Sequence, residues 1–294
     1  MFEIAEKYYM ASMGGVNGFG NKSIKKLVEY FGSAKTAWLA DEIDLWNSGV
    51  RKNTLEFFIR WRKAYPDAPE KLINYCERQK IKLCCINDED YPPILKEIDT
   101  PPMFFYYRGQ LQPNAFRIGI VGSRHNTAYG KSVALELGEQ LAAAGLTVVS
   151  GAAQGIDTFA HLGALKTGRT LAVLGCGINY KLSRDREKLL AQIAENGVVL
   201  SEFNPQLSPN VSTFAVRNRI IAGLCNGVVV VEAKEKSGTI ITSNYAVRYG
   251  RDVFAFFYSN GVNNSLGCIK LIRDGAIPIE RACDVFNKYL AIKL

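Results

Sequence analysis

From residue 117 onward, short apolar runs recur with room for one helix between each pair. The runs 118–121, 146–149, 171–174, 197–200, 227–231 and 253–257 are four or five residues long and mostly β-branched or aromatic. Continuous apolarity over that length suits strands buried on both faces. Helix-length stretches such as 128–143 and 156–166 lie between them. Parallel strands need such crossovers, so the pattern predicts an α/β domain with a doubly wound, mostly parallel, Rossmann-like sheet. Two earlier runs, Ile81–Ile86 and Met103–Tyr107, read as strands punctuated by Tyr91-Pro92-Pro93 and Thr100-Pro101-Pro102. They add an edge to that sheet or connect to it.

The first 78 residues read as helical instead. In NKSIKKLVEYFGS, Ile24, Leu27, Val28 and Phe31 fall on one helix face. Asn21 is the expected N-cap and Gly32 the expected terminator. The glycines of Gly15-Val16-Asn17-Gly18-Phe19-Gly20 resemble a helix-hairpin-helix turn, with backbone N–H groups facing outward beside Lys22, Lys25 and Lys26. A plain turn between packed helices fits the same residues. The chain therefore divides into a helical domain, 1–78, and an α/β domain, 79–294.

Composition narrows the class. With 294 residues, 48% apolar and 22% charged, the chain supports one large or two smaller globular domains and excludes disorder. No uncharged run approaches the ~18 residues of a membrane span. The start, MFEIAEKYYMASMGG, carries Glu3 and Glu6 and lacks an apolar signal core. A cytoplasmic protein is expected, with no membrane partner. The seven cysteines are odd in number and lack CxxC spacing, so neither metal nor disulfide is expected. Only His125 and His161 are available for histidine chemistry. The net charge of +8 divides as +2 in the helical part and +6 in the rest. That favours a polyanionic partner only weakly.

In an open α/β sheet, ligands bind beyond the carboxyl ends of the strands. The turns there are Gly122-Ser123-Arg124, the stretch from Ser150 and Gly151 to Gly155, Ile156 and Asp157, Gly175-Cys176-Gly177, and Glu232 through Ser237-Gly238-Thr239. Glycine lets backbone approach a ligand, and each following helix offers unpaired N–H groups. Side by side, these turns predict a phosphate-binding surface, with Arg124 as a bidentate donor. Glycine-rich turns also occur for packing alone. No GxGxxG followed by an acid roughly twenty positions later is present, nor a GxxxxGK[ST] loop, so no NAD, ATP or other cofactor is expected. Asp157 is a catalytic carboxylate or, more in keeping with its place, a helix cap or orienting group.

The stretch 209–224 contains Phe214, Arg217, Asn218 and Arg219. At about 100° per residue, Phe214, Arg217, Asn218 and Ile221 share one helix face, and Arg219 points roughly opposite. An aromatic ring beside arginines suits a nucleic-acid groove, where bases stack and phosphates pair. A core phenylalanine with two ion-paired arginines is the competing reading. Arg219 is kept with the DNA-binding candidates, although its direction suits a brace.

The segments GIVGSRHNTAYG, VVSGAAQGIDTFAH, LAVLGCGINY, LSEFNPQLSPNVSTFAVRNRIIAGL, VVVVEAKEKSGTIITSNYAVRYGRDVFA and LIRDGAIPI occur in that order. Together they resemble the DNA-processing protein A family (DprA, also called Smf). The resemblance implies an extended Rossmann domain and a small, sterile-alpha-motif-like helical domain. It further implies single-stranded DNA binding, homodimers, and loading of a RecA-type recombinase during natural transformation, without catalysis. Three departures stand out. Ile178-Asn179-Tyr180-Lys181-Leu182-Ser183 replaces the family's usual D-x-x-YP, and Phe256-Phe257-Tyr258-Ser259-Asn260-Gly261 replaces its PG after VFA. Many members also carry a C-terminal winged-helix-like domain, whereas this chain ends 15 residues after Ile279.

Two alternatives remain at this point. Nucleotide phosphoribohydrolases of the lysine-decarboxylase-like group are similar in fold, but this chain has Thr242 where their PGGxGTxxE acid falls. A small-nucleotide sensor that keeps the phosphate turns is the other. A dimer surface is expected among Ile277, Ile279, Val285, Phe286 and Tyr289, unless these close the last helix onto the sheet.

Overall fold

The structure, a computed structural model, describes residues 5–16, 18–258 and 265–290. Six helices open it: α1 (Glu6–Met13), α2 (Asn21–Phe31), α3 (Ala34–Leu39), α4 (Glu42–Asn47), α5 (Lys52–Ala64) and α6 (Ala68–Arg78). Then come β1 (Lys82–Cys85), α7 (Pro93–Lys96), β2 (Phe104–Gly109), β3 (Arg117–Val121), α8 (Ala128–Ala143), β4 (Thr147–Ser150), α9 (Ile156–Ala164) and β5 (Thr170–Val173). The remainder is α10 (Arg184–Asn196), β6 (Val198–Ser201), α11 (Val211–Leu224), β7 (Gly227–Val230), α12 (Gly238–Arg248), β8 (Asp252–Phe256), α13 (Leu266–Arg273), β9 (Ile277–Ile279) and α14 (Ala282–Leu290).

The strands form one sheet in the order β1-β2-β6-β5-β4-β3-β7-β8-β9. From β3 on, neighbouring strands are parallel, while β2 is antiparallel to both β6 and β1. The two early strands are thus an added edge and not a connector. After β3 the chain winds outward through β4, β5 and β6, and α11 carries it back to β7 on the other flank of β3. The strand order reverses between β3 and β7, which opens a crevice at their carboxyl ends. The expected strands all form. Strand β9 was not anticipated: it is three residues long with Pro278 at its centre, and only a sheet edge tolerates that.

Apolar residues pack both faces of the sheet. Ile118, Ile120 and Val148 face α8, α9 and α14, whereas Val149, Val173 and Val228 face α11 and α12. A third apolar cluster runs without a break from Phe19, Leu27 and Phe58 of the helical part through Phe104 and Tyr106 to Val199. Phe19 is buried and stacks on Phe58, with ring centroids 4.9 Å apart. The glycine-rich hairpin thereby serves packing; its Asn17 lies outside the described residues.

One expectation needs correction. Gly20, not Asn21, caps α2. Asn21 instead accepts a hydrogen bond from the Met103 N–H (3.1 Å) and donates to Glu202 Oε1 (2.6 Å), tying the helical part to the sheet. Gly32 ends α2 in the left-handed region as expected. The structure also chooses between the two readings of the residues near the end of the chain. Ile279 and Val285 are fully buried, and Tyr289 packs edge-on against Phe116 at 4.8 Å. These side chains close α14 onto the sheet. No described helix is long and apolar enough to cross a membrane.

Candidate nucleic-acid interface

At the switch point lies an open cavity of about 670 Å³. The β3–α8 turn with Gly122, Ser123 and Arg124, the inner face of α11, and the start of α12 with Ser237, Gly238 and Thr239 line it, along with the turn after β4. Nine of the thirteen residues assigned to DNA line it: those six together with Phe214, Arg217 and Asn218. Ser150, Gly151, Gly155 and Arg219 do not.

Helix α11 starts with a capping box. Asn210 Oδ1 accepts from the Thr213 N–H (2.9 Å), and the Asn210 N–H donates to Thr213 Oγ1 (3.0 Å). Thr213 Oγ1 also donates to the Gly175 carbonyl at 2.7 Å, which fixes the first turn of α11 against the end of β5. Phe214 then lies over Gly175, where a β-carbon would sit 2.6 Å from the ring. The ring is half-buried and faces the cavity. The guanidinium of Arg124 stacks over it at 4.6 Å from the centroid, and that of Arg217 lies at 5.8 Å. Such contacts are worth about 0.5–2 kcal/mol.

Arg217 forms the floor of the cavity. It is 4% exposed and donates to the carbonyls of Gly151 (2.7 Å) and Val173 (2.5 Å) and to Asn218 Oδ1 (3.0 Å). Burial lowers its pKa to about 10, against the opposing pull of Asp157. It therefore remains a cation at neutral pH and places positive charge beneath the ring. Asn218 in turn donates to the Gly238 carbonyl (3.1 Å), which joins α11 to the start of α12.

Asp157 organises the turn after β4. Its Oδ2 accepts from the Gly151 N–H (3.1 Å) and the Ala153 N–H (3.4 Å). Between them Ala152 adopts φ +49°, a left-handed conformation that a non-glycine residue takes at some cost. Burial raises the Asp157 pKa, with Arg217 and the two N–H groups opposing. This is the orienting role expected of it. Gly155 has φ +90°, and a β-carbon there would collide with the Ser123 carbonyl and the Arg124 backbone. Only glycine lets this turn press against the Arg124 turn. The Ile156 N–H donates to the Ser123 carbonyl (3.1 Å) and completes that contact.

The candidates outside the cavity have structural partners. Ser150 is fully buried and donates to the Ile120 carbonyl (2.6 Å). Arg219 forms a buried ion pair with Glu202 and donates to the Thr100 carbonyl (2.7 Å). Its placement among the crevice residues is corrected: it braces α11 against the β6–α11 loop, on the side of α11 away from the cavity.

The start of α12 is different from that of α11. No side chain caps it, and the Ser237 hydroxyl, buried, has no partner. The first residues of this 11-residue helix, Gly238 and Thr239, line the cavity with Ser237 beside the exposed Lys234, and an uncapped helix start of this kind accepts an anionic oxygen. Sequence reasoning missed Lys234, although it sits in the same β7–α12 turn as Ser237. Glu232 is not offered to a ligand: it is fully buried and accepts from the Thr127 N–H (3.0 Å) and hydroxyl, pinning the start of α8. Thr242 lines the cavity where a phosphoribohydrolase-like acid would fall. The Ser259-Asn260-Gly261 part of the altered turn after β8 lies outside the described residues.

A sequence profile for DNA recombination-mediator protein A matches residues 82–290. The chain belongs to this family. It is 40% identical over 240 residues to DNA processing protein DprA of Bacillus subtilis, covering 81% of this chain and 78% of that one. Over 276 residues it is 37% identical to DprA of Streptococcus pneumoniae, covering 93% and 95%. The solved structure of the pneumococcal protein superimposes with a TM-score of 0.81 at 34% identity, covering 97% of this chain and 98% of that one. A structure of DprA from Helicobacter pylori, described for its single-stranded DNA binding mode, gives a TM-score of 0.64 at 27% identity, covering 71% and 96%. The DprA family consists of recombination mediators and not enzymes, which sets aside the phosphoribohydrolase alternative.

Proposed function

We propose that this chain binds single-stranded DNA in the crevice between β3 and β7. As a cytoplasmic homodimer it delivers that strand to a RecA-type recombinase during natural transformation. One observation carries the binding: the cavity-facing ring of Phe214 lies beneath Arg124 and next to the open start of α12. A base stacks on the ring once Arg124 moves to a neighbouring phosphate, and the next phosphate meets the α12 N–H groups. π-faces and phosphates are common to all strands, so binding is largely independent of sequence. The single-stranded DNA binding mode described for the Helicobacter pylori relative supports this reading.

One crevice holds only a few nucleotides. Two crevices on a C₂ dimer raise the local concentration on one strand, so avidity exceeds either site by about 10²–10⁴. The delivery role is tested by recombinase filament formation on strands coated with single-strand-binding protein, with sedimentation to establish the dimer. Faster filament formation is expected. A protein that coats the strand yet never accelerates that step overturns the delivery role.

A further inference from the structure

Between the helical part and the sheet lies a second cavity, of about 520 Å³. Trp61, Tyr65 and Tyr75 line it together with Lys71, Arg78 and Ser12. Trp61 and Tyr65 are tilted against each other, with centroids 5.4 Å apart, and Tyr65 is 51% exposed. Ser12 is 4% exposed, and its hydroxyl has no hydrogen-bond partner. A buried, unpartnered hydroxyl on a cavity wall is costly unless a ligand or water meets it. Aromatic faces flanked by cations are the elements of a nucleotide platform. Lys71 is also paired with Asp67 at 2.8 Å, on the exposed rim.

One stretch of chain links the two cavities. Asn204, Pro205 and Gln206 line this one, and Asn210 and Val211, a few residues later, line the crevice. The segment between is tied down: the Gly177 N–H donates to the Leu207 carbonyl (2.8 Å), and the Asn179 N–H to the Pro205 carbonyl (2.7 Å). Its crest exposes Leu207 and Val211, the latter 89% exposed. Asn179 further donates to the Tyr75 hydroxyl (2.9 Å) and to Gln79 Oε1 (3.0 Å), which holds that ring at the cavity. Asn179 belongs to the segment in which this chain departs from its family's usual pattern.

We propose that this groove is a second nucleotide-docking site, taking a base and phosphate from the same strand that enters the crevice. The inference rests on the reading of the crevice as a single-stranded DNA site. In this arrangement the strand crosses the Leu207–Val211 crest, a base stacks on the Trp61–Tyr65 pair, and Lys71 and Arg78 meet its phosphates.

The test compares oligodeoxythymidylates of roughly 5 and roughly 16 nucleotides, lengths chosen to fill one site or both. Tyr65→Ala is expected to weaken binding of the longer strand by about 5- to 150-fold and leave the shorter unchanged, with Tyr65→Phe retaining affinity. An iodouracil-substituted long strand should photo-crosslink within residues 61–75 of the unaltered protein. Unchanged long-strand affinity in Tyr65→Ala, equal loss for both lengths, or absence of that crosslink overturns the proposal while the crevice reading stands. Failure of the unaltered protein to bind the short strand overturns the crevice reading and this proposal with it.

Discussion

Phe214→Ala separates a stacking platform from a packing residue. A base stacked on an aromatic side chain is worth about 1–3 kcal/mol. In the free protein the ring already holds Arg124 at 4.6 Å, a contact of about 0.5 kcal/mol at an exposed site, and binding must displace it. The net loss is then about 0.5–2.5 kcal/mol, or about 2- to 70-fold in Kd. The same change also costs stability, because one part of the ring covers Gly175. Full burial would make that about 3–5 kcal/mol; for a half-buried ring about 2 kcal/mol is expected, lowering Tm by about 4–8 °C. Fluorescence anisotropy with a labelled thymidine strand, run well below the Tm of the variant, reads the affinity. Calorimetry reads the stability. Undiminished affinity together with the full loss in Tm would refute the platform and leave Phe214 a packing residue.

Other variants probe the neighbouring claims. Arg124→Ala should weaken binding to all sequences alike and lower the slope of log K against log salt by about 0.7, as for one lost phosphate contact; a salt titration with an unchanged slope would contradict this. Arg219→Met should leave affinity intact but cost about 3–5 kcal/mol in chemical denaturation, since it strands the buried Glu202; a selective loss of DNA binding would return Arg219 to the interface. His161 is fully buried, and burial, with Arg217 nearby, pushes its pKa down to about 3 from 6.5. Below pH 6.5 the unfolded chain takes up a proton that the folded state refuses, so stability present above that pH drains away as pH falls toward 3. By pH 5 this amounts to about 2 kcal/mol, and His161→Leu should remove that part of the slope in pH-dependent denaturation curves. An identical slope in the variant would refute it.

Periodicity reached further into this site than residue identity did. The helical rotation that places Phe214, Arg217, Asn218 and Ile221 on one face is a property of the backbone, and all four line the cavity. The same rotation sends Arg219 away; grouping it with Arg217 followed from the motif and not from the angle. Where a guanidinium ends is set by non-local partners, so nothing in the sequence indicated that Arg217 spends its donors on Gly151 and Val173. Ser150 and Gly155 lie at the right turn, but one points into the sheet and the other serves a backbone contact. The alternation of runs predicted the sheet because buried parallel strands are apolar on both faces. The docking of the helical part depends on contacts such as Asn21 with Glu202, remote in the chain, which local pattern does not encode.

The central claim is that the crevice holds a strand and not a single nucleotide. Competition answers it directly: a labelled thymidine oligomer is bound to the protein and challenged with unlabelled oligomer or with thymidine monophosphate. The crevice geometry predicts displacement by the oligomer, weakening as salt rises, and far weaker displacement by the monophosphate, which supplies one phosphate where the strand supplies two, at comparable nucleotide concentration. Equal displacement by the monophosphate, or binding indifferent to salt, would contradict the account and favour a nucleotide sensor.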